Sequence, residues 1–398
     1  MPDILSQILA AAPQLKPALD AVPARLSVEH LENRASEGIG ETDFGPAFYR
    51  EGLERLLASA NDEANLNVLG RLLIMNSARG YLENRLLMQR LRRTHAPELQ
   101  TPLLAPLIVT GLPRTGTTFL HRLLASDPSH AGIPMWQLTH PIPRNAEDTP
   151  AQRLARVDEL LALRRKLTPE LDGTHLIRAD APEECMHIVG PSFQTRTLWN
   201  LAPVYSYQDW LSQVDKTDKY VEYVDYLRVV QATRPNQRLV LKAPDHVDGI
   251  TELLNVLPEA MVVQTHRDMP EQFGSYMSLG RTTRKIAVNA LDTAREVETT
   301  LKMADVSIAR STAAHAAHPG KIFDVKYTDL IADPLATARR VYAHFGLDMT
   351  EETVAGLSSY QKRNPKGKHG AHDYSLEDVG LSADIITERY KSYSAAFL

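Results

Sequence analysis

The 398-residue sequence lacks several features that whole classes of protein require. It has one cysteine, Cys185, which excludes an intrachain disulfide and a cysteine-rich zinc site and favours a reducing compartment. The formal net charge of -5 argues against general nucleic-acid binding, which depends on a basic excess. No apolar run approaches the roughly 20 residues of a membrane-spanning helix, and the first residues do not resemble a signal peptide. We therefore expect a cytoplasmic protein without a transmembrane segment.

The sequence does have an ordinary globular composition, with 43% apolar and 23% charged residues. In residues 1–100 leucines recur at spacings of three and four, which predicts an all-helical N-terminal region. A second helical block is predicted for about 149–235. Thr149 is a suitable N-cap for it, and Pro150 suits the first helical position.

Outside these helical regions, short apolar runs alternate with helical segments. The runs that predict strands are 106–111, 238–244, 260–268 and 321–327. Alternation of this kind predicts a parallel sheet with crossover helices. We therefore expect an α/β fold, with a P-loop-like parallel β-sheet flanked by helices. The α/β domain would span 101–398 and carry the block 149–235 as a helical insertion, where a substrate pocket commonly forms.

A glycine-containing loop, Gly111 to Thr118 (GLPRTGTT), joins the first predicted strand to the following helix. The backbone N–H groups of such a loop and the positive end of the helix dipole suit an oxyanion. The spacing matches the nucleotide phosphate loop G-x-x-x-x-G-K-[ST], but Thr117 replaces its lysine. Neither of the next two strands ends in an aspartate suited to hold magnesium. An atypical P-loop kinase or NTPase is therefore disfavoured and stays the alternative.

The segment PRTGTTFLHRLLASDP resembles the 5'-phosphosulfate loop of PAPS-dependent sulfotransferases, especially the bacterial branch with P-R-[ST]-G-T-T. PAPS is 3'-phosphoadenosine 5'-phosphosulfate. The resemblance implies transfer of its sulfuryl group to a hydroxyl of a small molecule without a metal ion, which leaves adenosine 3',5'-bisphosphate. It also implies that the loop residues bind the phosphosulfate: Arg114, Thr115, Gly116, Thr117 and Thr118.

Three later segments resemble further motifs of that family, in the family's order. Arg267 and Ser275, eight residues apart in THRDMPEQFGSYMSL, resemble the pair that holds the 3'-phosphate. Tyr327, in VKYTDLIADP, resembles the tyrosine that approaches the adenosine. The segment KRNPKGKHGAH resembles the loop that closes over the 3'-phosphate, in which the implied residues are Lys366, Gly367, Lys368 and Arg363.

In-line sulfuryl transfer requires stabilisation of charge on the leaving group and a base for the acceptor hydroxyl. Arg114 is always charged and can contact the bridging and sulfuryl oxygens. Lys242, at a predicted strand end, resembles the family's lysine that contacts the transferring group. The base stays open: His246 ranks first, followed by Glu184 or Glu183, and then by His187.

Two departures from the family's pattern concern that base. Animal-type members have a histidine two positions after the lysine, where this sequence has Pro244. Related bacterial chains often have a glutamate after a tryptophan, but here Trp136 is followed by Gln137, which cannot usefully accept a proton. A catalytically inactive nucleotide-binding relative is therefore a further alternative.

An aromatic run predicts the chemistry of the acceptor. It comprises Trp199, Tyr205, Tyr207 and Trp210. These residues could line an apolar pocket for an apolar alcohol or phenol, although such a run is also typical of an ordinary buried helical face.

Overall fold

The computed structural model describes residues 9–10, 12–168, 177–364 and 376–398. Its N-terminal part is helical, with helices α1 (Lys16–Asp20), α2 (Val28–Ile39), α3 (Phe48–Asp62) and α4 (Val68–Arg93). Asn67 caps α4 by accepting a hydrogen bond from the N–H of Gly70. The helical prediction for this part agrees with the structure, while the domain boundary at residue 100 stays a prediction.

A parallel sheet forms the centre of the rest of the chain. Its strands are β1 (Leu107–Gly111), β2 (His130–Gly132), β3 (Arg238–Lys242), β4 (Met261–His266) and β5 (Ile322–Lys326), in the order β2-β3-β1-β4-β5. β1 is the central strand, paired with β3 on one side and with β4 on the other, and every one of its residues is buried, as is typical of a parallel sheet covered on both faces. The carboxyl ends of these three strands therefore meet at one edge of the sheet. This architecture confirms the predicted α/β fold.

Helices flank the sheet and separate its strands. The helices between β1 and β3 are α5 (Thr117–Leu124), α6 (Met135–Thr139), α7 (Pro150–Leu167), α8 (Met186–Val189), α9 (Tyr205–Leu211) and α10 (Thr217–Ala232). Helix α7 begins as predicted, because Thr149 and Gln152 form a capping box. The helical block follows β2, a three-residue strand that the sequence patterns did not reveal.

The C-terminal half continues with α11 (Ile250–Val256), α12 (Met269–Arg284), α13 (Thr293–Ala317), α14 (Tyr327–Ala332), α15 (Pro334–Phe345), α16 (Glu351–Arg363), α17 (Ala383–Arg389) and α18 (Lys391–Phe397). Helices α12 and α13 share a core cluster with the last two helices, which includes Phe273, Ile386 and Tyr390. In the described ranges, no helix is long and apolar enough to cross a membrane.

Candidate active site

The loop between β1 and α5 has a backbone that few residues other than glycine adopt. Gly111 has φ of 141° and Gly116 has φ of 91°, and the intervening Arg114 also has a positive φ, 71°. A Cβ atom on Gly116 would lie 2.9 Å from Cδ2 of Tyr327. Helix α5 begins directly after this loop, at Thr117, so its first N–H groups have no intrahelical acceptors. The loop therefore offers the anion-binding geometry that the sequence predicted.

Two side chains, from α12 and from the short link between β4 and α12, hold this loop in place. Nη1 of Arg267 donates to the carbonyl oxygen of Arg114 at 3.1 Å. Nε2 of Gln272 donates to the carbonyl oxygen of Pro113 at 2.8 Å. The loop is thus fixed to the end of β4 and to the start of α12 before any ligand is bound.

The structure brings the residues predicted to bind the 3'-phosphate and the adenosine to one side of the loop. Nε of Arg114 donates to Oγ of Ser275 at 3.0 Å. The guanidinium of Arg267 lies 4.4 Å from the ring centroid of Tyr327 and forms an ion pair with Glu271 at 2.8 Å. Three segments that are distant in sequence therefore meet here. The Arg114 side chain extends towards Ser275, whereas the sequence predicted a contact with the transferring group.

Lys242 ends β3 beside the first turn of α5 and is fully buried. Its Nζ lies 2.6 Å from Oε1 of Glu184 and 3.7 Å from Oε1 of Glu183, and it donates to Oγ1 of Thr118 at 3.2 Å. Nη2 of Arg122 lies 3.3 Å from the other oxygen of Glu183. A cation and a carboxylate that can accept a proton therefore lie together at the start of α5.

A cavity of about 1150 Å³ runs along this loop. Thr118, Glu184 and the partly exposed His187 line it near the loop, and Arg267 and Tyr327 line it on the side of the predicted nucleotide residues. The apolar part of its lining includes Leu201, Phe273, Tyr276, Leu279, Met303 and Ala304. One cavity thus joins the predicted nucleotide residues to an apolar region.

His246 does not line this cavity, which weighs against its first rank among the candidate bases. It is completely buried. Its Nε2 lies 3.1 Å from Sγ of Cys185, and its Nδ1 lies 3.2 Å from Oη of Tyr220. Burial, together with the nearby Lys219 cation, lowers the pKa of His246 to about 3. Without access to the cavity, the imidazole has no route to an acceptor hydroxyl.

Gln137 also lies outside the cavity lining. It is buried, and its amide donates to Oγ1 of Thr233 and accepts from Arg234. The residue type at position 137 therefore does not decide whether the cavity contains a base. Among the residues of the predicted closing loop, Arg363 is the last residue of α16, and the others lie outside the described residues: Lys366, Gly367 and Lys368.

The aromatic run forms part of the protein core. Trp199, Tyr205 and Tyr207 are buried, Trp210 is partly buried, and all four pack into a cluster with the N-terminal helices. They do not line the cavity. The sequence patterns did not predict that α12 and α13 supply the apolar lining of the cavity. The spacing of Phe273, Tyr276 and Gly280 along α12 is nevertheless a helical signal that marks one face.

Comparison with known proteins identifies the family. A profile described as "Sulfotransferase family" matches residues 106–351, which include the loop, Lys242 and Tyr327. The chain belongs to the sulfotransferase family. It therefore transfers a sulfuryl group to a small-molecule acceptor.

Two solved sulfotransferases share this fold over nearly their whole length. The crystal structure of sulfotransferase STF1 from Mycobacterium tuberculosis H37Rv is 33% identical, with a TM-score of 0.81, over 92% of this chain and 99% of that one. That of STF9 from Mycobacterium avium is 27% identical, with a TM-score of 0.81, over 93% and 96%. The omega-hydroxy-beta-dihydromenaquinone-9 sulfotransferase Stf3 of Mycobacterium bovis is 25% identical over 69% of this chain and 71% of its own.

Proposed function

We propose that this sulfotransferase takes its sulfuryl group from PAPS and transfers it to a hydroxyl of a small-molecule alcohol or phenol. The observation that carries the proposal is the cluster of Lys242, Glu184 and Thr118 at the start of the anion-binding helix. It places a buried positive charge directly beside a carboxylate that lines the cavity. In-line sulfuryl transfer needs both of these groups.

The donor nucleotide lies along the loop in this proposal. The N–H groups of the loop and of the first turn of α5 bind its 5'-phosphosulfate, as do the hydroxyls of Thr117 and Thr118. Arg267 and Ser275 bind the 3'-phosphate, for which the fork geometry of a guanidinium is well suited. The contacts of Arg114 with Ser275 and Arg267 support a role for Arg114 in joining the two phosphate-binding regions.

The reaction follows from these positions. The acceptor oxygen attacks sulfur while the bond from sulfur to the bridging oxygen breaks, and that electron pair stays on the 5'-phosphate of adenosine 3',5'-bisphosphate. Lys242 and the loop N–H groups stabilise the developing charge. Glu184 takes the proton of the acceptor hydroxyl, since its carboxylate lines the cavity beside the loop.

The relative Stf3 supports an alcohol as the acceptor, because it is named for an omega-hydroxy compound. The apolar lining on α12 and α13 supports an apolar one. Both observations agree with the apolar alcohol or phenol that the sequence predicted, although the aromatic run on which that prediction depended lies in the core.

Calorimetry tests the donor. We expect adenosine 3',5'-bisphosphate to bind and ATP with magnesium to bind much more weakly, since Thr117 replaces the lysine that holds terminal phosphates in kinases. Tight binding of ATP with magnesium and no binding of adenosine 3',5'-bisphosphate would instead support an atypical kinase or NTPase. Transfer of labelled sulfate from PAPS to a panel of alcohols then separates an active enzyme from an inactive nucleotide-binding relative.

A further inference from the structure

The apolar region of the cavity has a shape and chemistry that define a class of acceptor. We call it the apolar chamber: Leu201, Phe273, Tyr276, Leu279, Met303 and Ala304. On the basis of the proposed function, we propose that the chamber holds the body of the acceptor. The substrate class is an uncharged alcohol with an apolar body and a second, uncharged hydrogen-bonding group that meets Thr300.

The position of the chamber places an acceptor next to the reacting atoms. The cavity that contains Thr118 and Glu184 is continuous with the space between α12 and α13. Ser275, which belongs to the predicted 3'-phosphate site, lies on α12, one residue before Tyr276 of the chamber. The nucleotide site and the chamber therefore share a helix. An alcohol in the chamber can extend its hydroxyl towards Glu184 while the donor occupies the loop.

The charges around the chamber are already paired within the protein. Arg196 lines the cavity and forms an ion pair with Asp248 at 2.6 Å, with both side chains largely buried. Arg284 is buried at the end of α12 and pairs with buried Glu296 at 2.6 Å. A charged acceptor would lose its hydration without gaining an available counter-ion, so the chamber favours an uncharged body.

Gly280 explains how Arg284 fits beneath the chamber. A Cβ atom at Gly280 would lie 2.6 Å from Nη2 of Arg284, so the guanidinium folds back over the glycine. It also lies 4.6 Å from the ring centroid of Trp199. The buried cation is therefore held against α12 and the aromatic core.

Thr300 supplies the second recognition point. It lies on α13, lines the cavity and is 3% exposed. Its Oγ1 has no hydrogen-bond partner among the residues that the structure describes. A buried hydroxyl is nearly always paired, so an unpartnered one on a cavity wall points to a polar group of the ligand. An uncharged hydroxyl or carbonyl on the acceptor satisfies it.

A series of linear alcohols from butan-1-ol to decan-1-ol tests whether the chamber binds an apolar acceptor body. The measurement is kcat/KM for labelled sulfuryl transfer from PAPS. We expect an increase of about fourfold per methylene until the chamber is filled, which corresponds to the free energy of burying one CH2 group. The charged analogue 10-hydroxydecanoate should be on the order of a hundredfold poorer than decan-1-ol.

Ala304 allows the chamber to be filled in a controlled way. We expect Ala304→Leu to lower kcat/KM for decan-1-ol about tenfold relative to butan-1-ol. The control is Ala313→Leu, the same change at an exposed position of α13. If Ala304→Leu does not fold, Leu279→Ala tests the same chamber from α12, because it enlarges the chamber and should move the optimum to longer alcohols.

Thr300→Val tests the hydrogen bond with α,ω-diols from butane-1,4-diol to decane-1,10-diol. The preferred diol should lose about tenfold in kcat/KM, whereas the alkanols should not change. Thr300→Ser should restore the diol. Thr299→Val, at a neighbouring buried threonine of α13 outside the cavity lining, should leave both kinds of acceptor unchanged.

The outcomes separate this inference from the proposed function. The chamber assignment alone would be overturned if the protein binds adenosine 3',5'-bisphosphate but its kcat/KM does not depend on the chain length or charge of the acceptor. Equal losses of kcat/KM for decan-1-ol in Ala304→Leu and Ala313→Leu would also overturn it. So would a loss of kcat/KM in Thr300→Val that is as large for alkanols as for diols. Absence of both nucleotide binding and transfer in the unaltered protein would overturn the proposed function, and the chamber assignment with it.

Discussion

Nζ of Lys242 lies 2.6 Å from Oε1 of Glu184, and the lysine is completely buried at the end of β3. A buried cation requires a partner, because its desolvation is unfavourable unless a carboxylate compensates it. When a phosphosulfate reaches the loop, it brings further negative charge to this lysine. In the proposed mechanism, the pair therefore links binding of the donor to the position of the carboxylate proposed as the base.

Replacing Lys242 with methionine removes the charge but keeps an apolar stem of similar length. We expect kcat to fall by about 10²- to 10³-fold, the usual effect of losing one group that stabilises a developing charge. Binding of adenosine 3',5'-bisphosphate should weaken less, because the loop N–H groups remain. Steady-state kinetics and calorimetry measure the two effects. Lys302→Met, at an exposed position of α13, is the control, and an unchanged kcat in Lys242→Met would contradict the role.

Glu184→Gln, compared with Glu183→Gln, distinguishes the roles of the two adjacent carboxylates. We expect kcat to fall by about 10²- to 10⁴-fold, as for loss of a general base. Glu183→Gln should reduce kcat less, because one Glu183 oxygen accepts from the N–H of Glu184 and the other lies near Arg122. The pH profile of kcat distinguishes a base from a positioning residue, since only loss of the base should remove the acidic limb. Equal profiles for the two variants would reject Glu184 as the base.

Arg267→Ala tests recognition of the 3'-phosphate. The Kd for adenosine 3',5'-bisphosphate should increase by roughly 10- to 100-fold, which corresponds to the loss of charge-assisted hydrogen bonds. The Kd for adenosine 5'-phosphate should change little, because that ligand lacks the 3'-phosphate. Arg340→Ala, at an exposed arginine paired with Asp329, serves as the control. Equal losses for both ligands would show that Arg267 acts on the loop as a whole.

The buried histidines make stability dependent on pH. Burial, with the Lys219 cation, lowers the pKa of His246 to about 3, and burial, with Lys242, lowers the pKa of His121 to about 3. Their unfolded pKa is about 6.5. Between these values the unfolded chain binds protons that the native chain does not. The free energy of unfolding therefore falls with decreasing pH, by up to about 1.4 kcal/mol per pH unit for each histidine.

Urea unfolding between pH 7.5 and 4.5 measures this dependence. His246→Asn should show a shallower slope than the unaltered protein, whatever its absolute stability. His344→Asn, at an exposed position of α15, should keep the original slope. A slope that His246→Asn does not change would contradict the burial of a neutral imidazole.

Four of the five strands and the phosphate loop could be predicted because they depend on local patterns. A short apolar run followed by a glycine-containing loop and a helix identifies β1 and α5 without knowledge of distant contacts. Arg267 and Ser275 were also found, through their resemblance to a sulfotransferase motif, and the structure brings them to the loop through Arg114.

The base and the acceptor lining could not be predicted in the same way. His246 and Glu184 have similar chemistry in sequence, but packing buries the first beside Cys185 and leaves the second on the cavity. The aromatic run was considered as a pocket lining because aromatic residues occur both in protein cores and in ligand pockets. Which helix faces a cavity depends on contacts between distant segments, and α12 and α13 meet there only in the folded chain.

The most direct test of the account is a crystal structure with bound adenosine 3',5'-bisphosphate. We predict that the 5'-phosphate lies on the N–H groups of the loop from Arg114 to Thr118, within reach of Lys242. The 3'-phosphate should contact Arg267 and Ser275. A nucleotide bound elsewhere, with the loop free of phosphate, would contradict the assignment of donor and mechanism together.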